Sequence, residues 1–228
     1  MRITESEIIT TARLLAIEGL DGSGKETQTG LLREALELRG YRVGSASFPR
    51  YGTPGAAPVE QYLSGGYGEN AVDVNAYAAS ALFAVDRMAS YLGEWKALYE
   101  GCDWFVADRY TTSNAIHQLS KLPKPEWEGF SDWLFDFEFG KIGLPEPEKV
   151  VYLRLDLALS QKLLERRYGG DVDMRDVHER DLAYLERSQQ AAEWCAQRFG
   201  WIVVECAEEG KLRERMDVHK EIIDRLGL

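Results

Sequence analysis

Three residues near the start of the chain, Gly19, Gly24 and Lys25, fall at the spacing G-x-x-x-x-G-K. Glycines so placed let backbone N–H groups turn inward around a β-phosphate, and the lysine after them reaches the β- and γ-oxygens. The stretch Glu18-Gly-Leu-Asp-Gly-Ser-Gly-Lys-Glu-Thr-Gln28 therefore reads as a P-loop, a phosphate cradle. Its candidate nucleotide contacts are Gly19, Asp21, Gly22, Ser23, Gly24, Lys25, Glu26 and Thr27. One position departs from the pattern. A Ser or Thr hydroxyl should follow the lysine as a magnesium ligand, and Glu26 stands there instead. A carboxylate is a hard oxygen ligand, and an acid in the first turn of a helix is favoured by the helix dipole, but it brings negative charge close to the phosphates. Glu26 is expected either to ligate magnesium through a water or to turn aside, with Asp108 holding the hydration shell of the ion.

A second set of residues suits anions. Arginines recur in Phe48-Pro-Arg-Tyr51, Asp86-Arg87 and Asp108-Arg-Tyr110. If the first and last of these follow strands of a parallel sheet, the carboxyl ends of the strands share one rim, and Lys25, Arg50 and Arg109 converge on one crevice. Phosphoryl transfer onto an acceptor that is itself a phosphate needs such a cluster, because fixed cations must offset the repulsion of two anions brought together. A lone Asp-Arg pair reads as well as a solvated surface pair worth under ~1 kcal/mol; three at rim positions favour the functional reading. The Asn-Lys-x-Asp tetrapeptide by which a GTPase reads its base is missing.

The elements needed to position these groups are legible. Short apolar runs at 14–17, 42–48, 104–107, 150–155 and 201–205 read as buried strands. Helical spacing runs from Lys25 to a stop at Gly40, and a long amphipathic helix covers Asn75 to Glu100 with Tyr77, Ala81, Val85, Met88, Leu92 and Trp95 at intervals of three and four. Further helices are expected over 113–119, 127–139, 157–167, 180–199 and 212–226, with a loop after Pro49 through Pro58. Strands alternating with helices imply an α/β fold, a five-stranded parallel sheet wrapped by helices on both faces.

Composition bounds the rest. The 228 residues are 45% hydrophobic, enough for one sizeable core. A net charge of −11 disfavours nucleic-acid binding through a broad basic face. Cys102, Cys195 and Cys206 are odd in number and lack C-x-x-C spacing, so they read as reduced core residues. Neither a secretory leader nor a membrane span is visible, and a cytoplasmic protein is expected.

The ordered set Glu18 to Lys25, Phe48-Pro-Arg50, Leu82-Phe-Ala-Val-Asp-Arg87, Asp108-Arg-Tyr-x-x-Ser-Asn114 and Leu144-Pro-x-Pro-x-x-Val-Val-Tyr-Leu153 resembles the thymidylate kinases. These are P-loop nucleoside monophosphate kinases with a mobile lid and usually a homodimeric assembly, and the resemblance covers nearly the whole chain from about Leu14. It implies transfer of the γ-phosphoryl group of ATP to dTMP, with magnesium. It further implies that Arg50 and Arg109 grip the acceptor phosphate, Phe83 stacks on thymine and Arg87 bonds its O4. Tyr51 joins the acceptor site, and Ser113 and Asn114 meet the base. The Asn114 amide, able to donate and accept, matches the N3–H and carbonyl edge. His117 falls near the sugar, although a structural histidine reads equally well there. Asp21 faces the acceptor sugar and its phosphate arginine. Lid residues Arg166 and Arg167 would close over the transferring group, with Glu179 near the acceptor. The expected division is an extension over 1–13 and one kinase domain over 14–228, its lid at about 166–179. Two alternatives stay open: a kinase for another nucleotide or nucleoside, and a non-catalytic nucleotide-binding protein, for which Glu26 is the best argument.

Overall fold

The computed structural model describes residues 12–167, 169, 176, 178, 179 and 181–228, without the Arg167 side chain. Five strands form one parallel sheet: β1 (Arg13–Glu18), β2 (Val43–Ser47), β3 (Trp104–Asp108), β4 (Lys149–Arg154) and β5 (Ile202–Glu205), in the order β2-β3-β1-β4-β5. Arg13, assigned by sequence to the extension, is the first residue of β1 and pairs with Trp104. Alternation along the strands feeds two cores. Leu14, Ala16, Phe105, Ala107 and Tyr152 point into one, while Leu15, Ile17, Val106, Val151 and Leu153 point into the other. Helices must therefore cover both faces.

Register places the chemistry. Ile17 of β1 and Ser47 of β2 both pair with Asp108 of β3. The three strands thus end side by side, and the segments carrying the phosphate loop, Arg50 and Arg109 leave the sheet at one rim. Around it lie α1 (Lys25–Leu38), α2 (Ala57–Leu63), α3 (Ala76–Ser90), α4 (Lys96–Gly101), α5 (Thr111–Leu119), α6 (Trp127–Phe135), α7 (Leu157–Arg167), α8 (Leu182–Phe199) and α9 (Arg215–Leu226).

Four features depart from the sequence expectation. α2 occupies part of the expected loop, with Pro58 in its first turn, where a missing N–H costs nothing. A two-residue hairpin, β6 (Ala207–Glu208) and β7 (Lys211–Leu212), delays the last helix to Arg215. The long helix is broken into α3 and α4 by a wide π-helical turn at Tyr91–Trp95, and α6 runs into another at Asp136–Ile142. Finally, much of the apolar stripe expected along the long helix is not packed into the core. Tyr77 and Val85 of the expected stripe are exposed, as is Leu92 of the π turn (67%), Ala81 and Met88 are half-buried, and only Trp95 is in the core. The buried face of α3 is Ala76, Ala79, Ser80, Ala84, Asp86, Arg87 and Ser90. Small side chains let this helix approach its neighbours closely, and its buried charges belong to the site.

Candidate active site

The phosphate loop takes the shape its glycines allow. A Cβ on Gly19 would collide with the Ser23 hydroxyl and sit 2.8 Å from the Leu153 carbonyl, so no side chain fits where the loop crosses β4. Gly24 adopts the left-handed conformation (φ 89°) as the N-cap of α1, which makes Lys25 the first helical residue. The Lys25 ammonium donates to the Leu20 carbonyl at 2.9 Å and lies 3.8 Å from Asp21 Oδ1. Burial, with help from Arg109, pushes its pKa down to about 8. The Ser23 hydroxyl is buried without a partner among the described residues.

Arg109 follows β3 in a left-handed backbone conformation (φ 65°), a strain of about 1–3 kcal/mol that its surroundings must hold in place. Two contacts do so: its N–H donates to the Ile17 carbonyl at 3.0 Å, and its guanidinium donates to Asp21 of the phosphate loop. Burial alone would raise the Asp21 carboxyl, but Arg109 and Lys25 hold it well below the usual carboxylate range. Arg109 Nη1 also lies 3.4 Å from His117 Nε2. Burial, reinforced by Arg109, drives the His117 pKa down to about 3, so the ring is neutral. Since an arginine can only donate, Nε2 accepts and Nδ1 carries the proton, with no partner among the described residues.

Two buried carboxylates, neither singled out from sequence, organise the other wall. Glu18, wholly buried, accepts the Tyr110 N–H (2.9 Å) and the hydroxyls of Thr112 (2.6 Å) and Ser113 (2.5 Å), tying the phosphate loop to the first turn of α5. Glu138, also wholly buried in the second π turn, takes Nε and Nη2 of Arg87 at 2.6 Å each. It accepts as well from Thr111 (2.8 Å) and from the Asn114 amide (3.2 Å). These bonds narrow three expected roles. The Ser113 proton goes to Glu18, so Ser113 offers a ligand only lone pairs. Arg87 meets Glu138 through Nε and Nη2 and not through Nη1. Asn114 Nδ2 is shared between Glu138 and the Ser80 carbonyl, which leaves Oδ1 as the part of its amide outside these two bonds. Gln118, one turn along α5, was missed. It is fully buried, and neither amide atom has a partner among the described residues. Its position four residues after Asn114 was the available signal.

Arg50 is set by acids on the long helix. Its N–H points at Asp86 (3.1 and 3.2 Å) and its Nη2 donates to Glu94 in the first π turn at 2.5 Å, while Nε is buried without a partner among the described residues. These groups surround a cleft of about 1140 Å³, above the roughly 300–1,000 Å³ of common single-ligand sites. Asp21, Gly22, Gly24, Lys25, Glu26 and Thr27 line its donor end. Arg50, Tyr51, Phe83, Arg87, Ser113 and Asn114 line the other end, with Gln118, His117 and Glu179 beside them. Asp108 and Arg109 lie between. Gly19 and Ser23 are not among the residues that line the cleft. Arg166 is exposed near the end of α7 and is not brought to the cleft; the Arg167 side chain and most of 168–177 lie outside the described residues.

Glu26 is exposed while Asp108 is buried; burial raises the Asp108 carboxyl, and the charges of Glu26 and Asp21 add to this against Lys25 and Arg109. Among the described residues no cluster of three or more metal-ligating side chains forms. Two acids beside a phosphate cradle fit an ion carried largely by phosphates and water.

The sequence profile of the thymidylate kinases matches residues 17–222. The chain belongs to the thymidylate kinase family. A relative named thymidylate kinase from Mycobacterium tuberculosis is 36% identical over 196 residues, 84% of this chain and 90% of its own length. Another, from Homo sapiens, is 31% identical over 150 residues, 65% of this chain and 64% of its own. The structure of thymidylate kinase from Candida albicans superposes with a TM-score of 0.65 over 95% of this chain and 93% of its own, at 24% identity, which speaks for the thymidylate kinase fold. That from Ehrlichia chaffeensis gives 0.65 at 18% identity over 96% and 100%.

Two outcomes follow from this geometry. Glu138→Ala leaves the Arg87 guanidinium buried and unpaired and should lower stability by about 3–5 kcal/mol in denaturant unfolding, with Arg87→Met in the same chain recovering most of it. Because Lys25 is largely neutral above pH 8 and phosphates favour its charged form, ATP binding should take up a proton there. Calorimetry in buffers of differing ionisation enthalpy should read an uptake approaching one per site at pH 9, falling toward pH 7, and absent in Lys25→Met.

Proposed function

We propose that this chain phosphorylates dTMP to dTDP with ATP as donor. The observation that carries the reading is a cleft with a phosphate cradle at one end, the open Nε of Arg50 and the Gln118 amide at the other, and Arg109 between them. ATP phosphates would lie on the N–H groups of the loop and on Lys25. The acceptor phosphate would meet Arg109 and the open Nε of Arg50, whose planar fork suits paired phosphate oxygens. Lys25 and Arg109 offset the repulsion of the two anions, and Asp21 holds Arg109 in line. The acceptor is already an anion, so positioning rather than a general base carries the chemistry. For the base, Phe83 offers a stacking face and Arg87 Nη1 a donor. With the Asn114 donors spent, the Gln118 amide is the group able both to donate and to accept at the N3–H and carbonyl edge, while His117 faces the sugar. Glu179 belongs to the acceptor end, and Arg166 and Arg167 remain lid candidates within one domain that starts with β1 at Arg13, its lid at about 166–179.

Magnesium fits as the accompanying ion: Asp108 and Glu26 would hold its water shell, where it offsets the charge of the ATP phosphates. We assign a homodimer on the exposed apolar residues of α3 and of the π turn that follows it. Tyr77 packs edge-on to Trp133 (4.6 Å), which stacks on Phe137 (5.3 Å), so the stripe with Val85 and Leu92 continues into an aromatic surface of α6 and its π turn. Unpaired Cys102, Cys195 and Cys206 suit a reducing cytoplasm, and among the described residues no helix is long and apolar enough to cross a membrane.

A coupled ADP-release assay over a panel of nucleoside monophosphates tests the reaction. Turnover with dTMP is expected; turnover only with another acceptor would overturn the assignment. Arg50→Ala and Gln118→Ala should each raise the dTMP KM at least about tenfold while leaving the ATP KM within about twofold. Glu26→Ser should shift the magnesium dependence of ATP turnover; an unchanged dependence would show that Glu26 turns aside. Leu92→Glu with Val85→Glu should convert a dimer to a monomer in sedimentation analysis, with no loss of folding.

A further inference from the structure

A chain of polar contacts lies behind the acceptor end of the cleft and joins three parts of the sequence that have no role in the reading above. Its centre is the Tyr62 hydroxyl at the end of α2. Lys121, just past α5, donates to it at 2.8 Å and to the Val74 carbonyl at 2.9 Å. On its other side the hydroxyl reaches the Ala71 carbonyl (3.2 Å) and Nε2 of His178 (2.8 Å). His178 is 5% exposed, and its ring is held on three sides: edge-on to Tyr62 (5.4 Å), tilted on Tyr184 of α8 (4.8 Å) and stacked on His117 (5.5 Å, 15° between planes).

The backbone around His178 is tied to its own carboxylates. Asp176 accepts the N–H groups of His178 and Glu179 at 2.8 and 2.9 Å, and the Asp176 N–H donates to Glu179 at 3.2 Å. Asp176, His178 and Glu179 all line the cleft. Fixing the His178 ring therefore fixes where two acids stand at the acceptor end. It also backs the face of the His117 ring, whose Nε2 edge meets Arg109.

We propose that His178 is a positioning residue for the acceptor nucleotide: held by the Tyr62 hydroxyl and Lys121, it sets Glu179 and Asp176 against the cleft and braces His117 beneath Arg109. Tyr62 and Lys121 touch no ligand and act through this ring. A phenol, an ammonium and an imidazole converging from three segments are more polar machinery than packing alone requires, since a buried polar group is costly unless satisfied. The inference rests on the assignment of this end of the cleft to the acceptor.

The test is steady-state kinetics, varying dTMP and ATP separately, on the wild type, His178→Phe, His178→Gln, Tyr62→Phe and the Tyr62→Phe/His178→Phe double variant, with thermal unfolding of each. His178→Phe keeps an aromatic stack and loses Nε2. It should raise the dTMP KM about tenfold, with kcat and the ATP KM within about twofold. Tyr62→Phe should do the same, and His178→Gln, which can still meet the hydroxyl, should restore most of the loss. Because the two groups act through one bond, the double variant should be no worse than the worse single. An unchanged dTMP KM, multiplying effects in the double variant, no rescue by glutamine, or a parallel decline of every parameter with melting temperature would each overturn the inference. If His178→Phe does not fold, Tyr62→Phe, which removes one oxygen, decides alone. A wild type inactive on dTMP defeats the acceptor assignment instead, and is read before any variant.

Discussion

The ion pair between Asp21 and Arg109 joins the two halves of the site. Asp21 lies in the loop after β1 and Arg109 directly after β3, and parallel pairing of Ile17 with Asp108 brings the two within contact. The strained backbone of Arg109 is held by that pair and by the Ile17 carbonyl. An arginine so fixed needs no reorganisation when anionic charge arrives, which is what electrostatic preorganisation demands. The cost is a set of charges removed from water, and the surrounding polar network exists to satisfy them.

Glu18 and Glu138 show how that is done. Each is wholly buried, and each has its oxygens occupied by donors from the segment that opens α5. Leaving either carboxylate without its donors would strand a charge in the interior, so α5 has one sequence register in which both are satisfied. That register presents Ser113, Asn114, His117 and Gln118 toward the cleft together. Both acids lie where the chain changes direction or pitch, Glu18 at the end of β1 and Glu138 in a π turn, so local pattern gave neither away.

Much of the framework was legible in advance. The five strands lie where short apolar runs predicted them, because a strand buried on both faces must be apolar throughout. The phosphate loop was legible because it is local: its function depends on backbone conformation, and only glycines at fixed spacing permit it. α2 was hidden by prolines that are harmless in a first helical turn, and the hairpin before α9 was too short to carry a pattern. For α3 the apolar periodicity was visible but said nothing about direction. Of the expected stripe, Tyr77, Val85 and Leu92 face outward while Trp95 packs in the core, and the buried face of α3 is small or charged.

The sequence by itself determined the α/β class, the cradle and the identity of the cations, since each depends on residue type at short range. Only the tertiary structure decided how the hydrogen bonds are divided. It placed Glu138 on Arg87, spent the Asn114 donors and left the Gln118 amide open. It set Glu18 under Ser113 and brought His178 onto His117. Each of these is a pairing across tens of residues, and a polar side chain becomes available to a ligand only after its neighbours in space have taken what they need.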